Sequence, residues 1–423
     1  MEQIQQLEQS IMTGDLDAVE KAVRQLEADP DLELIYDSAG MLMEVGLVPQ
    51  ADRLYGVLLE RLPDAGQLKI DRAEAYMALG REDDALLLLT DIRPDEDEYL
   101  QALLLLADYY QTIGMAEVAL TKIVEAEKLA PAEPVVLFAK AELLLDGGRY
   151  AEAVRLYLTL QERGIEELAG QPVAARIAEA YSAGAAYEEA VPYYERMIRQ
   201  GDVLPGTLFG AAYSNYQSGH PQAALRHLDE LLKMDPDYFS AYMLAGQASL
   251  LLEENKQALD YFTEGIRRDE YDKELRLSAG KAALKLSMPD DARLHFGEAL
   301  ALDPEYLEAR ISLASVLEGL GEYAELADLL KDTPEDQLDI PLLAAFRAYA
   351  EEEAERFGEA YASYAQAYTG MKEDPEFLER FAKFLLEDGR RQEAVPIVKQ
   401  LTAIVPDHPE WTSFLQDEEE EEA

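Results

Sequence analysis

Small apolar residues return along this chain at a fixed step. Ala51, Ala85, Ala119 and Ala153 lie 34 residues apart; after one step of 37, Ala190, Ala224, Ala258 and Ala292 resume the 34, and Ala360 and Ala394 hold it with Leu326 between them. Ala18 lies 33 residues before Ala51, so the chain reads as twelve units. Two short helices and their turns use about that length at ~1.5 Å rise per residue, and this period with one small residue per unit predicts a helix–turn–helix solenoid. The small side chain lets neighbouring helices approach closely, where a larger one overpacks the contact at a cost of ~1–3 kcal/mol. Leu326 is the one larger residue in the series.

Start and stop signals keep the same register. Five residues before these positions stand Gly46, Gly80, Gly114, Gly148, Gly219 and Gly389, suited to a left-handed helix C-cap that ends the first helix. Twelve residues after come Pro30, Pro63, Pro131, Pro236, Pro304 and Pro406, whose rings cannot continue a helical ladder and so close the second.

The chain resembles the tetratricopeptide repeat family over nearly its whole length. GMAEVALTKIVEAEKLAP (114–131), GHPQAALRHLDELLKMDP (219–236) and MPDDARLHFGEALALDP (288–304) are similar to second halves of its units. The large residue that the family places four after the alanine is Tyr157, Tyr194, Phe262, Phe296 and Tyr364, and its tyrosine late in the first helix is Tyr76, Tyr110 and Tyr181. Arg93-Pro94 and Thr333-Pro334 shorten the second helices of repeats 3 and 10. The resemblance implies an all-α, right-handed superhelical solenoid of about twelve helix–turn–helix repeats. Length, acidity, absence of cysteine and the C-terminal glutamate run also resemble the YpiA-type tetratricopeptide proteins of Gram-positive bacteria.

Length alone, at 423 residues, suggests about three globular domains. The unbroken register instead predicts one continuous solenoid over 1–415, in which each repeat buries its apolar stripe against its neighbours. An insertion at 161–171, where Gly164 and Gly170 bracket extra residues, is expected as a loop or hinge between repeats 5 and 6. A cap near 407–415 is expected from Trp411, Phe414 and Leu415, and 416–423 is expected as a disordered acidic tail.

Charge narrows the partners. With 86 Asp and Glu against 37 Lys and Arg, the formal charge is −49, which repels nucleic acid and anionic membrane surfaces. There is no cysteine, so disulfides and thiolate chemistry are excluded. No apolar run reaches the ~18 residues of a membrane span, and the N-terminus reads without a leader, so a cytoplasmic location is expected. Oligomeric state, monomer or weak dimer, is left open.

No constellation for chemistry emerges. His220, His227, His295 and His408 never share the i, i+4 spacing of a helical metal site. Glu351, Glu352 and Glu353, like Asp83 and Asp84, read as solvated helix faces, because a raised carboxyl pKa needs burial. No phosphate loop or nucleophile elbow is present, so no catalytic residue, cofactor or metal is expected.

Binding remains. By the family's pattern, residues ten, six and three before the turn residue line a concave groove. These are Phe209, Tyr213 and Tyr216 in repeat 7, Met243, Gln247 and Leu250 in repeat 8, and Leu277, Lys281 and Leu284 with Lys285 in repeat 9; Phe138, Glu142 and Leu145 follow in repeat 5. Phe138, Phe209, Tyr213, Tyr216, Met243, Gln247, Lys281 and Lys285 are the candidate partner-binding residues, since aromatics and methionine offer adaptable area and the lysines stand out in an acidic chain. Asn215 and Asn255 do not suffice for the asparagine-based clamp of chaperone-binding family members. The expected function is a non-enzymatic adaptor or scaffold holding a peptide or helix of a partner protein. The alternatives are a peptide-responsive sensory regulator of Gram-positive type and a self-associating assembly scaffold.

Overall fold

Every repeat turns through the same backbone conformation. In the computed structural model, which describes residues 2–334, 337–406 and 408–422, Gly14, Gly46, Gly80, Gly114, Gly148, Gly219, Gly321 and Gly389 have positive φ, and so do Ala185, Glu253, Ser287 and Glu355. The next residue's N–H bonds back to the carbonyl five residues earlier, as in Arg81 N to Tyr76 O (2.8 Å) and Glu254 N to Ser249 O (3.0 Å). This is the Schellman closure of a helix end. Side-chain residues in this region carry steric strain that glycine does not. Glu253→Gly and Ser287→Gly are therefore expected to stabilise the chain by about 0.5–1 kcal/mol each, the relief of strain less the added unfolded-state entropy. Thermal midpoints rising by about 1–4 °C would register it; unchanged or lower midpoints would mean that these turns are unstrained.

Around these turns the chain forms twenty-five helices among the described residues. Backbone contacts divide it into two units, Met1–Val203 and Leu204–Ala423. The first unit pairs α1 (Glu2–Thr13) with α2 (Leu16–Glu27), α3 (Leu32–Glu44) with α4 (Val48–Arg61), α5 (Gly66–Ala78) with α6 (Glu82–Thr90), α7 (Tyr99–Thr112) with α8 (Ala116–Leu129), α9 (Pro134–Asp146) with α10 (Tyr150–Glu162), and α11 (Val173–Ala183) with α12 (Tyr187–Arg199). The second pairs α13 (Pro205–Gln217) with α14 (Pro221–Met234), α15 (Phe239–Leu251) with α16 (Asn255–Arg268), α17 (Lys273–Lys285) with α18 (Pro289–Leu302), α19 (Leu307–Leu320) with α20 (Tyr323–Lys331), α21 (Pro341–Glu353) with α22 (Phe357–Tyr368), and α23 (Pro375–Glu387) with α24 (Arg391–Ile404), followed by α25 (Pro409–Glu422).

The periodic alanines do what their size suggests. From Ala51 to Ala394 each is fully buried, as is Leu326, whereas Ala18 is only partly so. A second small series, which the sequence reading passes over, runs on the first helices: Ala39, Ala73, Ala107, Ala141, Ala178, Ala212, Gly246, Gly280, Ala314, Ala348 and Ala382, all buried. Its two glycines face the two buried phenylalanines Phe262 and Phe296; a β-carbon on Gly246 would fall 2.2 Å from the Phe262 ring, and one on Gly280 2.4 Å from that of Phe296.

The shortened helices α6 and α20 each carry a compensation. Lys69 and Arg310 stand at the same place, eleven residues before the turn glycine, where most repeats have an apolar residue. Lys69 is buried and pairs with Asp91 at the end of α6 (2.6 Å). Arg310 is 3% exposed and donates to Gln337 Oε1 (3.1 Å), Thr333 Oγ1 (3.2 Å), the Leu329 carbonyl (3.3 Å) and the Pro304 carbonyl. Cations suit helix C-termini, whose last carbonyls lack intrahelical donors.

The insertion contains a short β-hairpin. Strands β1 (Glu167–Leu168) and β2 (Gln171–Pro172) pair antiparallel, and the two linking residues, Ala169 and Gly170, both have positive φ, which a tight two-residue hairpin demands. At the other end Trp411 is 2% exposed in the core, with Phe414 and Leu415 packed alongside. From that anchor α25 continues to Glu422, where the sequence reading expects disorder from 416 onward. Glutamate is a good helix former, and Glu418 pairs with Arg391. Asp407 of the expected cap and Ala423 of the expected tail lie outside the described residues.

Candidate partner-binding face

Helix α13 opens with Pro205 in its first turn, where the missing N–H is harmless, and presents Phe209, Tyr213 and Tyr216 on one side through their i, i+4, i+7 spacing. The first two rings stack, with centroids 6.3 Å apart and planes 20° from parallel, and Phe209 also meets Tyr238, just ahead of α15, at 5.1 Å. All three are half-buried, so each keeps one surface against the protein and one toward solvent. Burial raises the Tyr238 phenol above its ordinary pKa.

The neighbouring first helices continue this face. On α15, Met243, Gln247 and Leu250 are half-buried, and Ser278 Oγ of α17 donates to Met243 Sδ at 3.6 Å. On α17, Leu284 is 41% exposed, and Lys281 and Lys285 are exposed. Lys281 reaches Glu308 at 2.5 Å; Lys285 has no ion pair among the described residues. The other cations of α17 are engaged, Lys273 with Asp303 (2.5 Å) and over the Tyr306 ring, and Arg276 with Glu298.

Two expectations need correction. Phe138 is 6% exposed and packs edge-on to Tyr157 at 5.8 Å, so it belongs to the core of the first unit and offers no face to a partner. Leu277 is likewise buried, at 4% exposure. The remaining candidates, Phe209, Tyr213, Tyr216, Met243, Gln247, Lys281 and Lys285, all lie in the second unit and are half-buried or exposed.

Farther along, the same face is occupied by the protein's own side chains. Arg380 of α23 stacks over Tyr349 of α21 at 3.8 Å and pairs with Glu318 of α19 (3.0 Å) and Glu352 of α21 (3.5 Å). The buried Tyr364 hydroxyl donates to Glu352, and Ser363 to Glu351, both at 2.6 Å. Glu351 and Glu352 are therefore structural acceptors rather than the solvated residues their run of three suggests. Burial raises the Tyr364 phenol pKa.

Three of the four histidines are wholly or partly buried, and His220 is exposed. His227 is buried; burial lowers the pKa of His295; His408 lies 3.8 Å from Glu379. Among the described residues, no group of three His, Asp or Glu is placed to hold a metal ion, and no helix is long and apolar enough to cross a membrane.

Comparison with known proteins agrees with the repeat geometry. The model of YpiA-like tetratricopeptide repeats matches residues 111–165, that of YpiA-like C-terminal tetratricopeptide repeats 341–408, and a general tetratricopeptide repeat model 209–273 and 277–336. The TPR repeat-containing protein YpiA of Bacillus subtilis is 35% identical over 386 residues, covering 91% of this chain and 90% of that protein. The chain belongs to the YpiA-like tetratricopeptide repeat family. A DnaJ homolog subfamily C member 7 homolog of Schizosaccharomyces pombe is 29% identical over 126 residues, 26% of each chain. Among solved structures, the C-terminal part of a repeat protein from Cytophaga hutchinsonii aligns at TM-score 0.45 and 16% identity, over 66% of this chain and 99% of that one. Family membership supports a role in protein–protein interaction in general.

Proposed function

We propose that the protein is a non-enzymatic adaptor whose groove along α13, α15 and α17 holds a peptide or helix of a partner protein. The observation that carries this reading is the half-exposed stripe of Phe209, Tyr213, Tyr216, Met243 and Leu250 on successive first helices. Rigid aromatics present large area at little entropic cost, and a methionine beside them adapts to the partner's shape. Burial of about 800 Å² on each side is enough for specific association. On α19, α21 and α23 the Arg380 cluster leaves less room, which confines the groove to repeats 7–9.

The reading is tested by capture from cell extract with the full chain and with Phe209→Ala/Tyr213→Ala. Loss of one or more specific partners from the variant, with the helical signal and thermal midpoint within a few degrees of the parent, is expected. Identical partner sets from both proteins would remove this groove as the binding site.

A further inference from the structure

The position six residues before each turn changes character along the chain. On α5, α7, α9 and α11 it is Glu74, Asp108, Glu142 and Glu179; on α13, α15 and α17 it becomes Tyr213, Gln247 and Lys281. We infer that the segment seated on α13, α15 and α17 carries a carboxylate beside its apolar anchors, with the anchors over α13 and α15 and the carboxylate over α17. This names the partner's chemistry and rests on the adaptor reading above.

Three features of α17 support it. Lys281 and Lys285 are separated by one helical turn on the same side of the helix, where like charges repel, and an anion placed between them relieves that repulsion. Among the described residues Lys281 is paired with Glu308 alone, whose side chain is 58% exposed; such surface pairs exchange readily for a better partner. Lys285 is exposed with no ion pair among the described residues. Beside these lysines lie Leu284 and, across α15, Leu250 and Met243, so charge and apolar area are adjacent. Three neighbouring helices at ~8–10 Å spacing span about 20 Å, the reach of about six extended residues. The carboxylate has two possible sources, a chain terminus or an Asp or Glu side chain.

The test uses the full chain and fluorescence anisotropy with labelled synthetic peptides of about ten residues. Each carries a Phe and two Leu followed by an acidic pair with a free C-terminus, or by the same sequence with Asn for Asp and an amidated end. Single exchanges, Asp to Asn or acid to amide, separate the two sources of carboxylate. The acidic peptide is expected to bind about tenfold more tightly than the neutral one at low ionic strength, and to lose that advantage as salt screens the pairs. Lys281→Gln/Lys285→Gln is expected to erase the difference between the acidic and the neutral peptide; Tyr213→Ala is expected to weaken both. Equal affinities, or a difference that survives the lysine replacements, would overturn the carboxylate assignment and leave the groove standing. Neither peptide exceeding a scrambled control would overturn both.

Discussion

Gly280→Ala is expected to destabilise the chain by about 1–3 kcal/mol through overpacking, and Phe296→Ala by about 3–5 kcal/mol through the cavity it opens. Together they should cost clearly less than their sum. The ring of Phe296, fully buried, lies where a β-carbon on Gly280 would have to sit, 2.4 Å away, and the backbone on either side is helical. Neither the helix nor the ring moves without disturbing the next repeat, so the strain is not relieved locally. Removing the ring makes room for the methyl, and contacting residues of this kind couple by about 0.5–3 kcal/mol. The pair Gly246 and Phe262, at 2.2 Å, should behave alike. Repeat arrays open in parts, so hydrogen exchange of the α17 and α18 amides is the appropriate measurement alongside urea unfolding. Strict additivity of the two substitutions would show that the ring and the glycine do not depend on one another.

Arg310→Leu is expected to cost about 2–4 kcal/mol, because buried acceptors around it lose their donor. The guanidinium is enclosed by Gln337, Thr333 and the carbonyls of Leu329 and Pro304, and Gln337 in turn donates to the Glu305 carbonyl at 2.9 Å. One side chain therefore ties the loop ahead of α19 to the loop behind α20. Leucine fills some of the volume but leaves buried acceptors without donors, each a loss of about 1–3 kcal/mol. Arg310→Lys keeps the charge but not the fork of donors, and should fall between the parent and the leucine variant. Lys69→Met, whose partner Asp91 has a side chain 70% exposed, should cost only about 1 kcal/mol or less. Equilibrium unfolding of the three variants gives the ranking; a leucine variant as stable as the parent would mean that the network adds nothing to packing.

Much of the architecture was legible along the chain, because helical hairpins at a constant period impose a constant spacing on their small and turn-forming residues. The alanine series placed the hairpins, and the turn glycines named in the sequence all adopt the left-handed conformation. The same register also contained two readable signals that went unread. One is the small series from Ala39 to Ala382; the other is a basic residue at the Lys69 and Arg310 position in both repeats whose second helix a proline cuts to nine residues, a place also held by Arg276 in repeat 9.

The candidate face was less legible. Phe138 and Phe209 hold the same place in their repeats, yet Phe138 is covered by Tyr157 while Phe209 stacks on Tyr213 and Tyr238 and stays half-exposed. The residue four after the alanine decides the matter in part: it is Tyr157 in repeat 5 and Leu228 in repeat 7. Glu352 and Arg380 read as surface charges, and only their meeting with Tyr349 and Tyr364 makes them part of a closed network.

By itself the sequence determined the hairpin repeat, its register and its turns, since these depend on local propensity and on a period that repeats whatever the neighbours are. Which aromatic is covered, which cation is already paired, and how the shortened helices and the acidic end are held were decided only in the tertiary structure. Those properties depend on side chains from helices distant in sequence, and a linear pattern records position along the chain but not what comes to lie across from it.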